Sequence, residues 1–146
     1  MIDRLDHLIV SVKDISAAEE NFTKFFGIEP VWRGEHSELG TINAIYNFSN
    51  TYFEILAAKG EGIGAELVKQ SIQEKGEGLT GLVLGSDNLQ DCENQISKKH
   101  FKSPPISIGE GMDSDRGEIR RWKSLFLPSK LCLLYTSPSP RDSRKS

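Results

Sequence analysis

The chain has 146 residues, of which 37% are hydrophobic and 27% charged, and its formal net charge is -3. This composition is ordinary for a globular domain and carries no basic footprint, which excludes nucleic acid as the expected partner. No apolar run approaches the ~20 residues of a membrane span, and the N-terminus lacks a signal-peptide pattern, so the cytoplasm is the expected location. The two cysteines, Cys92 and Cys132, fit no metal-binding spacing and give no reason to expect a disulfide.

The first predicted element is a strand over Leu5 to Val12, with the sequence LDHLIVSV. Strand alternation places His7 on one face and Asp6 on the other. A histidine inside such an apolar run costs several kcal/mol, roughly, unless a partner or a metal satisfies it. His7 is therefore the first candidate for a functional residue.

A helix over about Ala17 to Phe26 is predicted next. Asp14 and Ser16 both offer N-cap oxygens, and Ser16 with Glu19 fits the spacing of a capping box. Gly27 is placed to end the helix, because glycine adopts the left-handed conformation without a steric penalty.

Three strands are expected to complete this unit, at Glu29 to Arg33, Thr41 to Phe48 and Tyr52 to Leu56. A polar loop, Gly34 to Gly40, separates the first two strands and contains His36. The third strand carries a lone carboxylate, Glu54, among apolar residues. Alternation places Tyr52, Glu54 and Leu56 on one face, so the strand aims Glu54 away from the helix.

The second half of the chain repeats this pattern after a helical linker over Glu61 to Lys75. The run Leu79 to Leu84 aligns with Leu5 to Val10 at an offset of 74 residues, which puts Gly81 at the position of His7. A helix and two strands follow, at Leu89 to Lys99, Ile106 to Ile108 and Glu118 to Leu127. A fourth strand is missing or overwritten in this prediction.

The segment from Cys132 to Asp142, CLLYTSPSPRD, differs in character from the rest of the chain. It resembles the translation of a transposase adapter used to prepare sequencing libraries, with a matching codon for each residue. The alternative is a flexible tail rich in serine and proline. We expect 131–146 to be an artefactual disordered tail and the natural protein to continue beyond Lys130 with other residues.

The repeated strand-helix-strand-strand-strand unit resembles the vicinal oxygen chelate superfamily, which includes glyoxalase I, extradiol dioxygenases, fosfomycin-resistance enzymes and bleomycin-binding proteins. The segments Gly34–His36 and Gly40–Ala44 resemble its branch of glyoxalase-like domain proteins. The resemblance covers Ile2 to about Lys130. It implies an α+β fold in which two βαβββ modules form a curved eight-stranded cup, the second module being incomplete. The implied bounds are 1–58 for the first module, 59–78 for the linker and 79–130 for the second module.

The resemblance also implies a divalent metal ion, Zn, Fe, Mn, Ni or Co, held inside the cup by the first and fourth strands of each module. His7 and Glu54 carry over as the metal ligands of the first module, and imidazole with carboxylate suits these metals. Gly81 replaces the matching ligand of the second module, which leaves two protein ligands where catalytic zinc has three. Either the intact protein completes the site beyond Lys130, or the cup binds its ligand without metal.

Each of these residues also has a structural alternative. His7 would be a core histidine bonded to a backbone carbonyl, and Glu54 would form a salt bridge to an arginine such as Arg121. His36 would be a solvated loop residue, whereas the resemblance makes it a candidate at the mouth of the cup for binding or proton transfer. The candidate substrate-binding residues are Thr41, Asn43, Arg121 and Trp122.

The leading hypothesis is a metal-dependent lyase, isomerase or dioxygenase acting on a small oxygenated metabolite. Glu54 would be a ligand or a proton-transfer base, and His36 a second catalytic group. The alternatives are a metal-free protein that binds a drug or toxin, as in bleomycin resistance, and an inactive fragment. The expected partner is a small molecule, and a homodimer is left open.

Overall fold

The structure, a computed structural model, describes residues 1–102, 105–126 and 133–136. Its helices are α1 (Ile15–Phe26), α2 (Ile63–Lys75) and α3 (Leu89–Lys98). Its strands are β1 (Ile2–Ser11), β2 (Trp32–His36), β3 (Thr41–Asn47), β4 (Tyr52–Ala58), β5 (Gly78–Ser86), β6 (Ser107–Asp113), β7 (Ile119–Phe126) and β8 (Leu133–Thr136). No helix in these ranges has the length and apolar character needed to cross a membrane.

The strands form one closed sheet in the order β1-β4-β3-β2-β6-β7-β8-β5. Each half repeats the same pairing, with β1 parallel to β4 and β5 parallel to β8. The two halves join where β1 pairs with β5 and where β2 pairs with β6. The α+β fold with two βαβββ modules is therefore confirmed, and the two modules curl around a common interior.

Within the described ranges β8 has four residues, whereas its counterpart β4 has seven. The sequence predicts no strand at this place, whereas β8 lies within the segment assigned to the tail. The physical reason is that β5 and β7 would otherwise expose unpaired strand edges, and β8 pairs with both of them. The adapter origin of this segment stays a prediction.

The outer face of the first module packs under α1. Its buried residues are Ala44, Tyr46 and Ile55, and α1 covers them with Ile15, Ala18, Phe22 and Phe26. The same strands therefore turn their other face, which carries Asn43 and Glu54, toward the interior of the barrel. This arrangement positions the candidate site.

The ends of α1 differ in part from the prediction. Gly27 ends the helix in the left-handed conformation with φ 70°, as predicted. The N-cap is Asp14, whose side chain accepts a hydrogen bond from the backbone N–H of Ala17, so the predicted capping box of Ser16 and Glu19 is wrong. The helix starts at Ile15 because Asp14 already satisfies a free N–H group of its first turn.

Replacing Asp14 with alanine should lower the free energy of unfolding by about 1 kcal/mol, because a free N–H group of α1 loses its acceptor. Urea denaturation of the full chain measures this change. Ser16→Ala is the matched control, since Ser16 lies inside the helix and should tolerate alanine with little change. A larger loss for Ser16→Ala than for Asp14→Ala would contradict the observed start of the helix.

Candidate functional site

Glu54 is the centre of a hydrogen-bonded network inside the barrel. It lies on β4, is 7% exposed, and its Oε1 accepts a hydrogen bond from Asn43 Nδ2 at 2.8 Å. Its other oxygen, Oε2, lies 3.0 Å from His7 Nε2. The predicted inward orientation of Glu54 is therefore observed, and its partner is His7 rather than Arg121.

His7 lies between two carboxylates. Its Nε2 faces Glu54, and its Nδ1 lies 2.8 Å from Oδ2 of Asp6. The ring also stacks on Tyr52 with a centroid distance of 4.1 Å. His7 and Asp6 are 1% and 2% exposed, so this is a buried polar network and not a surface ion pair. The interpretation of His7 as a core histidine bonded to a backbone carbonyl does not describe this geometry.

The side chain of Asp6 contacts His7, although strand alternation predicts that the two side chains lie on opposite faces of β1. The sequence predicts that Asp6 and His7 face opposite sides of β1. The pairing of β1 with β5 shifts register between Leu5 and His7, so Asp6 has no partner residue opposite it. Such an irregularity re-aims the side chain of the extra residue, and the carboxylate of Asp6 turns against the ring of its neighbour. The signal in the sequence was a carboxylate adjacent to a histidine in an apolar strand.

The charges in this network stabilise one another. Burial lowers the pKa of His7, but the hydrogen bonds to Asp6 and Glu54 outweigh burial, and the pKa of His7 is raised above its ordinary value. Burial raises the pKa of Glu54, but its hydrogen bond to His7 outweighs burial, and the pKa of Glu54 is lowered. Because both nitrogens of His7 face carboxylate oxygens, the imidazolium that donates two N–H groups fits the geometry best.

His36 forms a second polar centre in the interior. The sequence predicts it in a polar loop, but it ends β2 and is 6% exposed. Its Nδ1 lies 2.8 Å from Thr41 Oγ1, and its Cδ2–Nε2 edge lies over Gly111 of β6. Burial lowers the pKa of His36, and the nearby charge of Glu54 opposes that effect. The loop prediction is wrong because β2 continues through Gly34, a residue more typical of turns than of strands.

The space that Gly34 leaves open is filled by other residues of the interior. A side chain at this position would collide with the indole of Trp32, 2.3 Å from its Nε1, and with Asn43 Oδ1. Asn43 Oδ1 is buried and has no hydrogen-bond partner within the ranges that the structure describes. Asn43 therefore offers a buried acceptor next to the carboxylate that it orients.

The two predicted residues of β7 point in opposite directions. Trp122 faces the interior, where its ring meets His36 edge-on with a centroid distance of 5.4 Å. The side chain of Arg121 is 69% exposed and pairs with Glu110 at 2.8 Å on the outer face. Arg120, which the prediction leaves out, lies on the inner face and covers the ring of Trp32 at 4.3 Å. The structure thus brings together every predicted site residue except Arg121.

The predicted metal ligands do not form a complete metal site with the residues that the structure describes. His7 and Glu54 are bonded to each other, and Asp6 lies behind the ring of His7. In the second module the matching register positions are Gly81 and Leu133, neither of which has a ligating side chain. Within the described ranges no group of three or more His, Cys, Asp and Glu side chains could hold a metal ion. Two donors from one module are fewer than the three of a catalytic zinc site.

Comparisons with known proteins agree with this architecture. The family model described as "Glyoxalase-like domain" matches residues 5–136. Comparison with curated proteins gives no significant match.

Several solved structures share the fold. A hypothetical protein from Staphylococcus aureus has a TM-score of 0.75 and 15% identity, covering 97% of this chain and 62% of its own length. Methylmalonyl-CoA epimerase from Mycobacterium tuberculosis has a TM-score of 0.70 and 16% identity, covering 98% and 93%. A variant of the Streptomyces coelicolor methylmalonyl-CoA epimerase, in complex with 2-nitronate-propionyl-CoA, has a TM-score of 0.68 and 19% identity, covering 94% and 96%. At these identities the likeness shows a common fold.

Proposed function

Since the chain belongs to the glyoxalase-like domain family, we propose that its cup is the active site of an enzyme that moves a proton on a small oxygenated metabolite. The observation that carries this proposal is the placement of Glu54. Its carboxylate lies on the inner face of the barrel, oriented from two sides by Asn43 and His7. A carboxylate fixed in this way is ready to accept a proton from a bound ligand.

Glu54 is the base in this proposal. Its lowered pKa keeps it ionised from weakly acidic pH upward, so no proton has to leave it before reaction. Each carboxylate oxygen can accept more than one hydrogen bond, so the contacts to Asn43 and His7 leave room for an incoming proton. Asp6 acts through His7, because its carboxylate holds the imidazolium in the orientation that faces Glu54.

His36 is the hydrogen-bond donor in this proposal. Its lowered pKa favours the neutral imidazole near neutral pH. We assign the hydroxyl of Thr41 as the donor to Nδ1, which places the ring proton on Nε2. Nε2 would then donate to a carbonyl oxygen of the ligand and stabilise the negative charge that develops on it.

The reaction class is proton transfer at a carbon next to a carbonyl group. Glu54 takes the proton from that carbon, and the electron pair of the C–H bond forms a C=C bond. The carbonyl oxygen gains the negative charge, and His36 stabilises or protonates it. Return of the proton from Glu54 to the same carbon leaves the ligand unchanged apart from exchange of that hydrogen with solvent. With an α-hydroxycarbonyl ligand, His36 protonates the carbonyl oxygen, the neighbouring hydroxyl group loses its proton, and return of the proton from Glu54 to the former carbonyl carbon completes an isomerisation. Solved structures named methylmalonyl-CoA epimerase share this fold, which supports the compatibility of the scaffold with such chemistry.

The test is hydrogen exchange in D2O, followed by proton NMR, with pyruvate, phenylpyruvate and dihydroxyacetone as probes. We expect enzyme-dependent exchange of the protons next to the carbonyl group of at least one probe. The exchange should persist in excess EDTA, because Glu54 and His36 supply the proton transfer. Loss of exchange in EDTA and its recovery with Zn, Mn, Fe, Co or Ni would instead support the metal-dependent function predicted from the sequence.

A second candidate function is a metal-free protein that binds a planar compound without turnover. Two observations favour it. Trp122 and Trp32 lie on the inner face, and Gly81 occupies the position in the second module that corresponds to His7 in the first. Calorimetric binding of a probe with no exchange of its protons would support this candidate over the enzyme. The cytoplasmic location and the homodimer stay predictions.

A further inference from the structure

The side chain of Asn43 has one polar atom that no residue of the described ranges satisfies. Its amide nitrogen donates to Glu54 Oε1 at 2.8 Å, whereas its amide oxygen, Oδ1, is buried and accepts no hydrogen bond there. The contact with Glu54 assigns the two amide atoms, because turning the group over would place Oδ1 against the carboxylate. A buried acceptor without a donor is rare in proteins, so Oδ1 marks a place where a water molecule or a ligand donates.

The position of Asn43 in the sheet shows where this acceptor faces. β3, which carries Asn43, lies between β4 with Glu54 and β2 with Gly34. Nδ2 reaches toward β4, and Oδ1 lies 2.8 Å from the position that a Cβ of Gly34 would occupy. The amide group therefore lies across the inner face of β3, with its nitrogen toward Glu54 and its oxygen toward the glycine opposite it.

This acceptor is close to the proposed base. Oδ1 and Nδ2 are joined through a single carbon by bonds of about 1.2 and 1.3 Å, so Oδ1 lies within about 5 Å of Glu54 Oε1. An O–H···O hydrogen bond is about 2.7 Å long. A ligand group that donates to Oδ1 therefore brings the carbon atoms attached to it beside the carboxylate of Glu54.

The surroundings of Oδ1 favour a hydroxyl group over the other polar groups that a ligand can offer. Trp32 Nε1, an N–H donor, lies 2.3 Å from the same Cβ position at Gly34, so a donor and an acceptor border one point of the interior. A hydroxyl group can accept from one and donate to the other, whereas an ammonium group cannot accept and a carboxylate group cannot donate. The imidazolium of His7, which lies 3.0 Å from Glu54, also repels a second cation.

We propose that Asn43 is a specificity-determining residue, whose Oδ1 accepts a hydrogen bond from a hydroxyl group on the ligand carbon next to the carbonyl group. Asn43 takes no proton itself, because the amide group of asparagine does not titrate. It selects α-hydroxycarbonyl compounds and holds their C–H bond beside Glu54, while its amide nitrogen orients the carboxylate. The reaction of that C–H bond rests on the proposed function, whereas the preference for a hydroxyl group does not.

Hydroxyacetone, methoxyacetone and acetone test this proposal on the full chain. Methoxyacetone keeps the ketone and the second oxygen but has no proton to donate to Oδ1, and acetone controls for the size of the added methyl group. We expect hydroxyacetone to bind at least tenfold more tightly than either of the others, because only its hydroxyl group satisfies the buried acceptor. Titration followed by proton–nitrogen NMR measures the affinities. The side-chain amide signals of Asn43, assigned with Asn43→Leu, should shift with hydroxyacetone.

Two replacements of Asn43 separate the acceptor from the rest of the side chain. Asn43→Asp keeps an oxygen at the position of Oδ1 and should keep the preference for hydroxyacetone over methoxyacetone. Asn43→Leu has a similar size but no acceptor, and it should lose that preference. Both variants lose the donor to Glu54, so a difference in preference between them reports on the acceptor alone.

A replacement at Gly34 tests the acceptor without changing Asn43. Gly34→Ala places a methyl group 2.8 Å from Oδ1 and should reduce the preference for hydroxyacetone at least threefold. Gly81→Ala is the matched control, because it adds a methyl group to β5 beside the side chain of Ile9, and it should leave the preference unchanged.

Equal affinity of the unmodified chain for hydroxyacetone and methoxyacetone would overturn the proposal, and so would the absence of hydroxyacetone binding. An unchanged preference in Asn43→Leu would also overturn it and would leave Oδ1 as the acceptor of a buried water only. Exchange of the CH2 protons of the probes in D2O tests the proposed function separately. A preference for hydroxyacetone without exchange keeps the role of Asn43 and removes the enzyme. Equal exchange of hydroxyacetone and methoxyacetone keeps the enzyme and removes the role of Asn43.

Discussion

Replacing His7 with alanine is expected to lower the free energy of unfolding by about 3–5 kcal/mol. The loss leaves the buried carboxylates of Asp6 and Glu54 without the cation that lies between them. It also removes the ring that stacks on Tyr52. Urea denaturation at pH 6, where the imidazolium is present in the folded protein, measures the change.

His100→Asn is the matched control, since His100 is exposed and its φ of 64° is one that asparagine tolerates. Its effect should stay within about 0.5 kcal/mol. A His7→Ala protein as stable as the unmodified chain would contradict the paired, charged state of His7.

The contribution of His7 to stability should depend on pH with a definite sign. The folded-state pKa of His7 is raised, so this contribution is complete below the unfolded value of about 6.5 and is lost as the pH rises through the folded value. The folded-state pKa of Glu54 is lowered, so its contribution is complete above its ordinary value of 4.5 and is lost as the pH falls through the folded value. The difference between the unmodified chain and His7→Ala should therefore be largest between these limits. His36 should contribute equally to the unmodified chain and to His7→Ala. Burial lowers its pKa in the folded state, so both proteins lose stability as the pH falls below the unfolded value of about 6.5.

Replacing Glu54 with glutamine is expected to reduce proton exchange on the reactive probe by about 10²–10⁴-fold. Glutamine keeps the shape of the side chain and its position beside Asn43, but it has no basic oxygen that can take a proton from carbon. Exchange rates measured by proton NMR in D2O, at saturating probe, give this ratio. It corresponds to about 3–5 kcal/mol of activation free energy.

Glu110→Gln is the matched control for this change, because Glu110 pairs with Arg121 on the outer face of the barrel. It should leave the exchange rate unchanged. Exchange in Glu54→Gln at the rate of the unmodified chain would show that Glu54 is not the base, even if the probe still binds.

Much of the site could be predicted because it depends on simple periodicity. His7 and Glu54 each stand in an apolar strand, and the repeated strand order brings β1 beside β4, where Glu54 lies opposite Ile9. Alternation along β7 also places Arg121 and Trp122 on opposite faces of the sheet. These features follow from a period of two and from the cost of burying a charge without a partner.

Other parts of the candidate site depend on local irregularities of the strands, which the two-residue alternation of side chains does not predict. Asp6 joins His7 because β1 shifts register against β5 at this point. His36 is buried because Gly34 allows β2 to continue past a residue that indicates a turn. In both cases tertiary packing decides the outcome and the local sequence pattern does not.

The choice between the two arginines of β7 depends on the partners across the sheet. Arg120 faces inward because Trp32 of β2 offers it a ring, and Arg121 faces outward toward Glu110 of β6. Glu110 lies opposite Arg121 within the second module, whereas the position of Trp32 relative to β7 follows from the pairing of β2 with β6, which joins the two modules. Sequence periodicity within one module does not reveal that pairing.

The most direct test of this account is the protonation state of His7 in the full chain, measured by nitrogen NMR on protein labelled at its three histidines. We expect both ring nitrogens of His7 to keep their protons to a higher pH than those of an ordinary histidine, because the hydrogen bonds to Asp6 and Glu54 raise the pKa of His7. We also expect one equivalent of Zn²⁺ to leave these signals unchanged. An unprotonated ring nitrogen, or a stoichiometric shift on addition of zinc, would contradict the carboxylate–imidazolium–carboxylate network and restore His7 as a metal ligand.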